Sequence, residues 1–200
     1  MTGTRAGSGI ASDEVALVGH YLSRLAEYLP NAHVFIRPPS PLYSEFWLGL
    51  DKIRRYTRRG TWHLKVEITY DILGHTRYGT PSPRQGQKGV GEWDSFSIGP
   101  YNENYKLKIG KMFKKDNMGT YDPMSFHNNA PFSSSDRDND WSGTNCADQN
   151  GGGWWFVGTG CLLCCGNCLR SATKQQNLWI WYTGISHEQV SDMKMWIKEV

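Results

Sequence analysis

The chain has 200 residues, 22 Lys and Arg against 19 Asp and Glu for a formal net charge of +3, and nine Trp, ten Tyr, 22 Gly and nine Pro beside a modest aliphatic content. So small an excess of charge, with no basic tract longer than the pairs Arg54-Arg55 and Arg58-Arg59, gives no footprint for nucleic acid, and those pairs read as a solvated helix end and turn. The length fits one domain able to bury about 70% of its unfolded surface without staples, packed on large aromatic side chains rather than as a helical bundle, and no apolar run of about 18 residues is present to span a membrane.

Residues 1–12, small and polar, are expected to be disordered. Asp13 then caps an amphipathic helix in which Val15, Leu17, Val18, Tyr21, Leu22, Leu25, Tyr28 and Leu29 recur at three- and four-residue spacing, stopping before Pro30. The same stretch lacks the basic start and continuous apolar run of a signal peptide. Pro38-Pro39 and Pro41 make an extended connector, and Glu45 to Tyr56 reads as a helix with Trp47, Leu48, Leu50 and Ile53 facing inward. From Trp62 to Tyr70 apolar and polar residues alternate strictly, which predicts a half-buried antiparallel strand. Its expected partners are Arg77–Tyr78, Glu92–Ile98 and Tyr105–Ile109, with Thr80 to Gly91 as a mobile loop. Regular structure fades from Met112 to Gly160, where Gly, Asp, Asn and Ser accumulate, and ordered loops of that length usually carry function or a bound ion. A strand follows at Leu178–Tyr182, and Asp192–Ile197 closes the chain.

Within the irregular stretch, Asp136, Asp138 and Asp140 stand on alternate residues ahead of Gly143, Asn145 and Cys146. Carboxylates so spaced repel one another unless a hard cation sits among them, and Ca²⁺ accepts such oxygens together with loop carbonyls. A solvated acidic turn is the competing reading. An EF-hand is excluded, because its sixth position would be Trp141 in place of Gly and its twelfth Ala147 in place of a bidentate Glu. Five cysteines, Cys146, Cys161, Cys164, Cys165 and Cys168, follow. C-x-x-C occurs twice in direct succession, too close for the converging ligand pairs of a zinc ribbon or finger. No G-x-S-x-G, Walker loop or H-E-x-x-H is present, and no enzymatic activity is expected.

The run Phe132-Ser133, Asp136-Arg137-Asp138-Asn139-Asp140, Asn145-Cys146-Ala147 and Gly153-Trp154-Trp155-Phe156 resembles the signature of the fibrinogen C-terminal, or fibrinogen-related, domain. Glu45-Phe46-Trp47-Leu48-Gly49 with Asp51-Lys52-Ile53 resembles its E-F-W-L-G segment, Phe96 to Gly99 and Glu103-Asn104-Tyr105 its F-x-(V/I)-G and E-N-Y segments, Ser125-Phe126-His127-Asn128 its S-(Y/F)-H-N, and Val190-Ser191-Asp192-Met193-Lys194 its closing block. The resemblance covers roughly residues 44 to 197. The family's usual opening, a Cys-containing subdomain and a G-G-G-W-T strand, has no counterpart before Glu45. The expected organisation is therefore a non-family segment over 1–43 and a truncated fibrinogen-related domain over 44–200, read as a fragment or variant of a longer product.

The resemblance implies an α+β fold with a central antiparallel sheet, short helices and a long irregular calcium-bearing loop region. It implies Ca²⁺ held by the carboxylates of Asp138 and Asp140 and the main-chain carbonyls of Ser142 and Thr144, Asp136 being a capping residue. Such a donor set gives an affinity on the order of 10⁻⁴ to 10⁻³ M. It also implies a Cys146–Cys161 bridge, worth about 3 kcal/mol for a loop of about fifteen residues. Cys164, Cys165 and Cys168 stay unassigned among a local disulfide, an intermolecular bridge and free thiols, and His127 is a structural histidine. In relatives that read acetyl groups, the pocket beside the calcium loop is aromatic and carries a His; here those positions are Asn150, Leu162, Gln175 and Gln176. Weak or no binding to N-acetylated sugars is expected. A surviving recognition surface would lie at Trp141, Trp154 and Trp181, with Trp154 and Trp181 also readable as core. The implied function is extracellular recognition of a carbohydrate or glycoprotein in innate defence, with a protein-ligand or matrix-assembly module, or a non-functional fragment, as alternatives. Upstream regions or unpaired cysteines are the routes to an oligomer.

Overall fold

The computed structural model describes residues 14–20, 45–72, 80–159, 161, 164–168, 180–182 and 187–200. Among them are the strands β1 (Glu14–His20), β2 (Glu45–Trp47), β3 (Trp62–Tyr70), β4 (Lys88–Trp93), β5 (Phe96–Ile98), β6 (Leu107–Ile109), β7 (Met112–Asp116), β8 (Ile180–Tyr182) and β9 (His187–Glu199), and the helices α1 (Leu50–Thr57) and α2 (Cys146–Asn150). The fold is α+β. Seven strands make the main sheet in the order β2-β1-β9-β3-β4-β7, with β8 alongside β9, while β5 and β6 pair separately.

β3 forms as its alternation requires: Trp62, Leu64, Val66, Ile68 and Tyr70 are buried, and the residues between them are partly exposed. It runs antiparallel to β9 on one side, Val66 opposite Met195, and to β4 on the other, Leu64 opposite Trp93. This inner face continues into an aromatic group. Trp155 meets Trp47, Phe96, Phe132 and Trp154 at ring-centroid separations between 5.2 and 6.4 Å, in the tilted and edge-to-face arrangements that aromatic quadrupoles favour. Through Phe132 and Trp154 the sheet's core reaches the irregular region that follows.

Several expectations differ from what forms. The helix expected from Asp13 is instead strand at Glu14–His20, registered against β9 and β2; its remainder lies outside the described residues. The strand's apolar residues Val15, Ala16, Leu17 and Val18 stand in unbroken succession across a shift of register between Ala16 and Val18, so the sequence lacks the period of two that marks a strand. The helix expected from Glu45 starts at Leu50, because Gly49 takes a φ of 92° that helical backbone does not allow. Tyr105–Ile109 does not join β3; Leu107–Ile109 pairs with β5. Arg77–Tyr78 falls outside the described residues.

Thr80–Gly91 is not a free loop. Its end is already β4, and its start is tied down: the fully buried Glu188 carboxylate takes Ser82 Oγ and Arg84 Nη1, while Arg84 Nε donates to Asn117 Oδ1 at 3.1 Å. Between Met112 and Thr159 structure is largely irregular, as expected, apart from β7, α2 and the short turn of 3₁₀ helix at Ser125–His127. No described helix is long and apolar enough to cross a membrane.

Candidate cation and recognition loop

The segment from Phe132 to Cys161 is held by side chains that replace missing ladder bonds. Ser133 bridges to Trp154, and Asn139 donates Nδ2–H to the Phe132 carbonyl at 2.7 Å and its own N–H to Ser133 Oγ at 3.0 Å. Asn145 works in both directions. Its Oδ1 accepts the Asp148 N–H at 3.0 Å and caps α2, while its Nδ2 reaches the carbonyls of Ser134 and Ser135. The disulfide Cys146–Cys161, with Cα atoms 5.4 Å apart, closes the far side.

Between these anchors, Asp138 Oδ1 accepts the Asp140 N–H at 3.2 Å. Asp140 Oδ1 accepts from Ser142 N at 2.9 Å, and its Oδ2 from Cys146 N at 3.0 Å. The chain therefore curls around Asp140. Asp136, Asp138 and Asp140 make no ion pair with a described residue, for the neighbouring Arg137 turns away, its guanidinium 4.6 Å over the Tyr101 ring and 2.6 Å from Asn104 Oδ1. The carbonyls of Ser142 and Thr144 accept no hydrogen bond from a described residue. Among the described residues no three His, Cys, Asp or Glu side chains converge on one point, so a cation held here would have to draw on neutral oxygens as well as the two carboxylates. That set suits Ca²⁺, which takes carboxylates mixed with carbonyls and water.

Trp141 stands on this loop with 67% of its surface exposed. Trp154, the second residue expected at a ligand surface, is fully buried instead, its ring 5.3 Å from Trp155; the aromatic core of the fold claims it. Trp181 lies in β8, and its side chain is outside the described ones. Asn150 is buried and donates to the Cys146 carbonyl at 2.7 Å. Leu162, Gln175 and Gln176 are outside the described residues. Of the cysteines unassigned from sequence, Cys165 and Cys168 form a disulfide and Cys164 is a free, buried thiol.

Sequence reasoning missed one feature. Cys164 Sγ lies 3.2 Å from His127 Nε2. Burial pushes the thiol well up from its ordinary value and holds the imidazole down at about 4. Both groups are therefore neutral and sealed from solvent, the opposite of an activated cysteine nucleophile. The only local sign of the feature is the spacing Met124-x-x-His127, since the cysteine arrives 37 residues later.

The family described as fibrinogen beta and gamma chains, C-terminal globular domain, matches residues 32–200. The chain belongs to this fibrinogen C-terminal family. Its relatives include tenascin-R of Gallus gallus, 38% identical over 117 residues, 58% of this chain and 7% of the relative, and ryncolin-4 of Cerberus rynchops, 38% identical over 113 residues, 56% of this chain and 28% of the relative. The chain thus spans less than a third of the length of these curated relatives. Among solved structures, the fibrinogen-like globe domain of human ANGPTL6 is similar with a TM-score of 0.56 and 26% identity, over 78% of this chain and 65% of that one. A lamprey fibrin D-dimer complexed with the peptide Gly-His-Arg-Pro-amide shares the fold at a TM-score of 0.54 and 22% identity, over 79% of this chain and 51% of that one. Families of fibrinogen-like domains are non-enzymatic recognition modules.

Proposed function

We propose that this fibrinogen-related domain is an extracellular recognition module, stabilised by Ca²⁺ at Asp138 and Asp140 with the carbonyls of Ser142 and Thr144, that binds carbohydrate or glycoprotein ligands on the surface where Trp141 stands. The loop carries this reading: two adjacent carboxylates without a basic partner, two unengaged carbonyls, and between them an indole two-thirds exposed. The ion would cancel the repulsion between the carboxylates and order the loop, taking no part in chemistry on a ligand. An exposed indole offers a flat apolar face with one N–H donor, the kind of surface on which a sugar ring or a glycoprotein segment stacks. Two disulfides support an oxidising compartment outside the cell.

One observation favours a module that binds protein without lectin activity. Asn150, where acetyl-reading relatives carry an aromatic residue, is turned inward onto the Cys146 carbonyl and leaves no apolar cup for an acetyl methyl. A combined array of glycans and matrix glycoproteins, probed in calcium and again in chelator, separates the two. The lectin-type reading expects calcium-dependent signal on glycans that lack N-acetyl groups, reduced about tenfold or more by Trp141→Ala, as for an aromatic hot spot. Signal on proteins alone, insensitive to deglycosylation, establishes the second reading. Binding untouched by Trp141→Ala removes this surface from either.

A further inference from the structure

We propose that Met124, His127 and Cys164 form a buried site for a soft monovalent metal ion, Cu(I), separate from the calcium loop. Met124 and His127 flank one turn of 3₁₀ helix at Ser125–His127, closed by the His127 N–H on the Met124 carbonyl at 3.0 Å. At three residues per turn, side chains three apart eclipse, so the thioether and the imidazole share a face. Cys164 reaches that face from a segment whose other cysteines are consumed by the Cys146–Cys161 and Cys165–Cys168 bridges. Its sulfur lies 3.2 Å from His127 Nε2 and 3.6 Å from Met124 Sδ. Three ligands sharing one ion at about 2.3 Å for sulfur and 2.0–2.1 Å for nitrogen lie roughly 3.8 Å (S to N) and 4.0 Å (S to S) apart in a trigonal arrangement, so each pair must spread by about half an ångström to open the site.

Two further groups are set as a metal–thiolate needs. His127 Nδ1–H donates to the Trp155 carbonyl at 2.5 Å, which fixes the tautomer and aims the Nε2 lone pair at the sulfur, as outer partners of metal-bound histidines do. The indole of Trp154, its ring centroid 6.4 Å from that of His127, has its N–H buried and without a hydrogen-bond partner. A neutral thiol leaves that donor unsatisfied; a metal-bound thiolate accepts from it.

The charge selects the ion. A thiolate with Cu(I) is neutral overall, whereas Zn²⁺ on the same donors leaves a net positive charge in the core and lacks its fourth ligand. The nearby Asp122 does not supply one, its carboxylate being engaged by Trp93 Nε1 and by the backbone N–H and hydroxyl of Ser125. Thiolate and thioether donors are those that choose Cu(I). As the S–Cu bond forms, the Cys164 proton leaves to solvent and no oxidation state changes. The site is closed at rest, and only the turn that carries Met124 and His127 separates it from solvent, its Ser125 and Phe126 being exposed.

The test is an anaerobic titration of the full chain, disulfides intact, with Cu(I) buffered by bicinchoninate. One equivalent should be taken up, with X-ray absorption showing one nitrogen and two sulfurs around copper. Met124→Leu, which conserves volume, should weaken binding by about tenfold and Cys164→Ser by at least about 100-fold, the range spanned by lost supporting groups in metal sites. Failure of the wild-type chain to compete with bicinchoninate, equal uptake by Cys164→Ser, or a copper shell without sulfur would overturn the proposal. The wild-type stoichiometry and spectrum decide the matter even if Cys164→Ser does not fold.

Discussion

Single residues decide where the irregular parts of this domain are firm. Glu188 is fully buried and its charge is met by Arg84, itself tied to Asn117 and lying over the Tyr70 ring. Removing one partner of such a pair strands the other charge in the core. Arg84→Ala should therefore cost about 3 kcal/mol in denaturant unfolding, whereas a merely surface arginine would cost under about 0.5 kcal/mol. The sequence hid this pair, because 104 residues separate the partners and the segment around Arg84 has the Pro, Gly and Gln content of a mobile loop. The two disulfides differ as their loops do. Cys146–Cys161 spans 15 residues and Cys165–Cys168 three, so Ser replacements of the first pair should cost about 3 kcal/mol and of the second about 2 kcal/mol. Equal losses from the two pairs would contradict the loop-length argument.

At the scale of elements, strand signals were legible where burial is one-sided and faded where it is not. β3 shows its period of two because one face meets the core and the other solvent. β4 reads as loop because Gly89 and Gly91 contribute no hydrophobic side chain; Met118 and the Trp93 ring fill the space over them. β7 is an edge strand whose residues are almost all exposed, Lys114 and Lys115 among them, a composition that protects edges from pairing further but leaves no periodic trace. β1 is the clearest divergence. It sits between β2 and β9, so removal of residues 1–20 should leave β9 paired only with β3 over the shared register. Hydrogen exchange should then accelerate at those β9 amides that face β1 and stay slow at those that face β3. Unchanged protection along β9 would contradict the placement of β1.

For the molecule as a whole, the sheet supplies a rigid floor, and the aromatic group around Trp155 joins it to a loop region with few ladder bonds of its own. The motif blocks made the family legible, and with it the irregular acidic loop proposed to hold calcium, since D-x-D-x-D, N-C-A and G-W-W are local in the chain. The Cys164–His127–Met124 cluster was not, because only the fold brings its parts together. An ion at Asp138 and Asp140 should stabilise the folded chain by mass action: with a dissociation constant on the order of 10⁻⁴ to 10⁻³ M, 10 mM calcium contributes about 1.5 to 3 kcal/mol, a shift of a few degrees in Tm. The most direct measurement is thermal unfolding in 10 mM calcium and in chelator, for the wild-type chain and for Asp138→Ala combined with Asp140→Ala. A calcium-loaded recognition loop predicts a higher Tm in calcium for the wild type alone. The same response in both proteins, or none in the wild type, would contradict it.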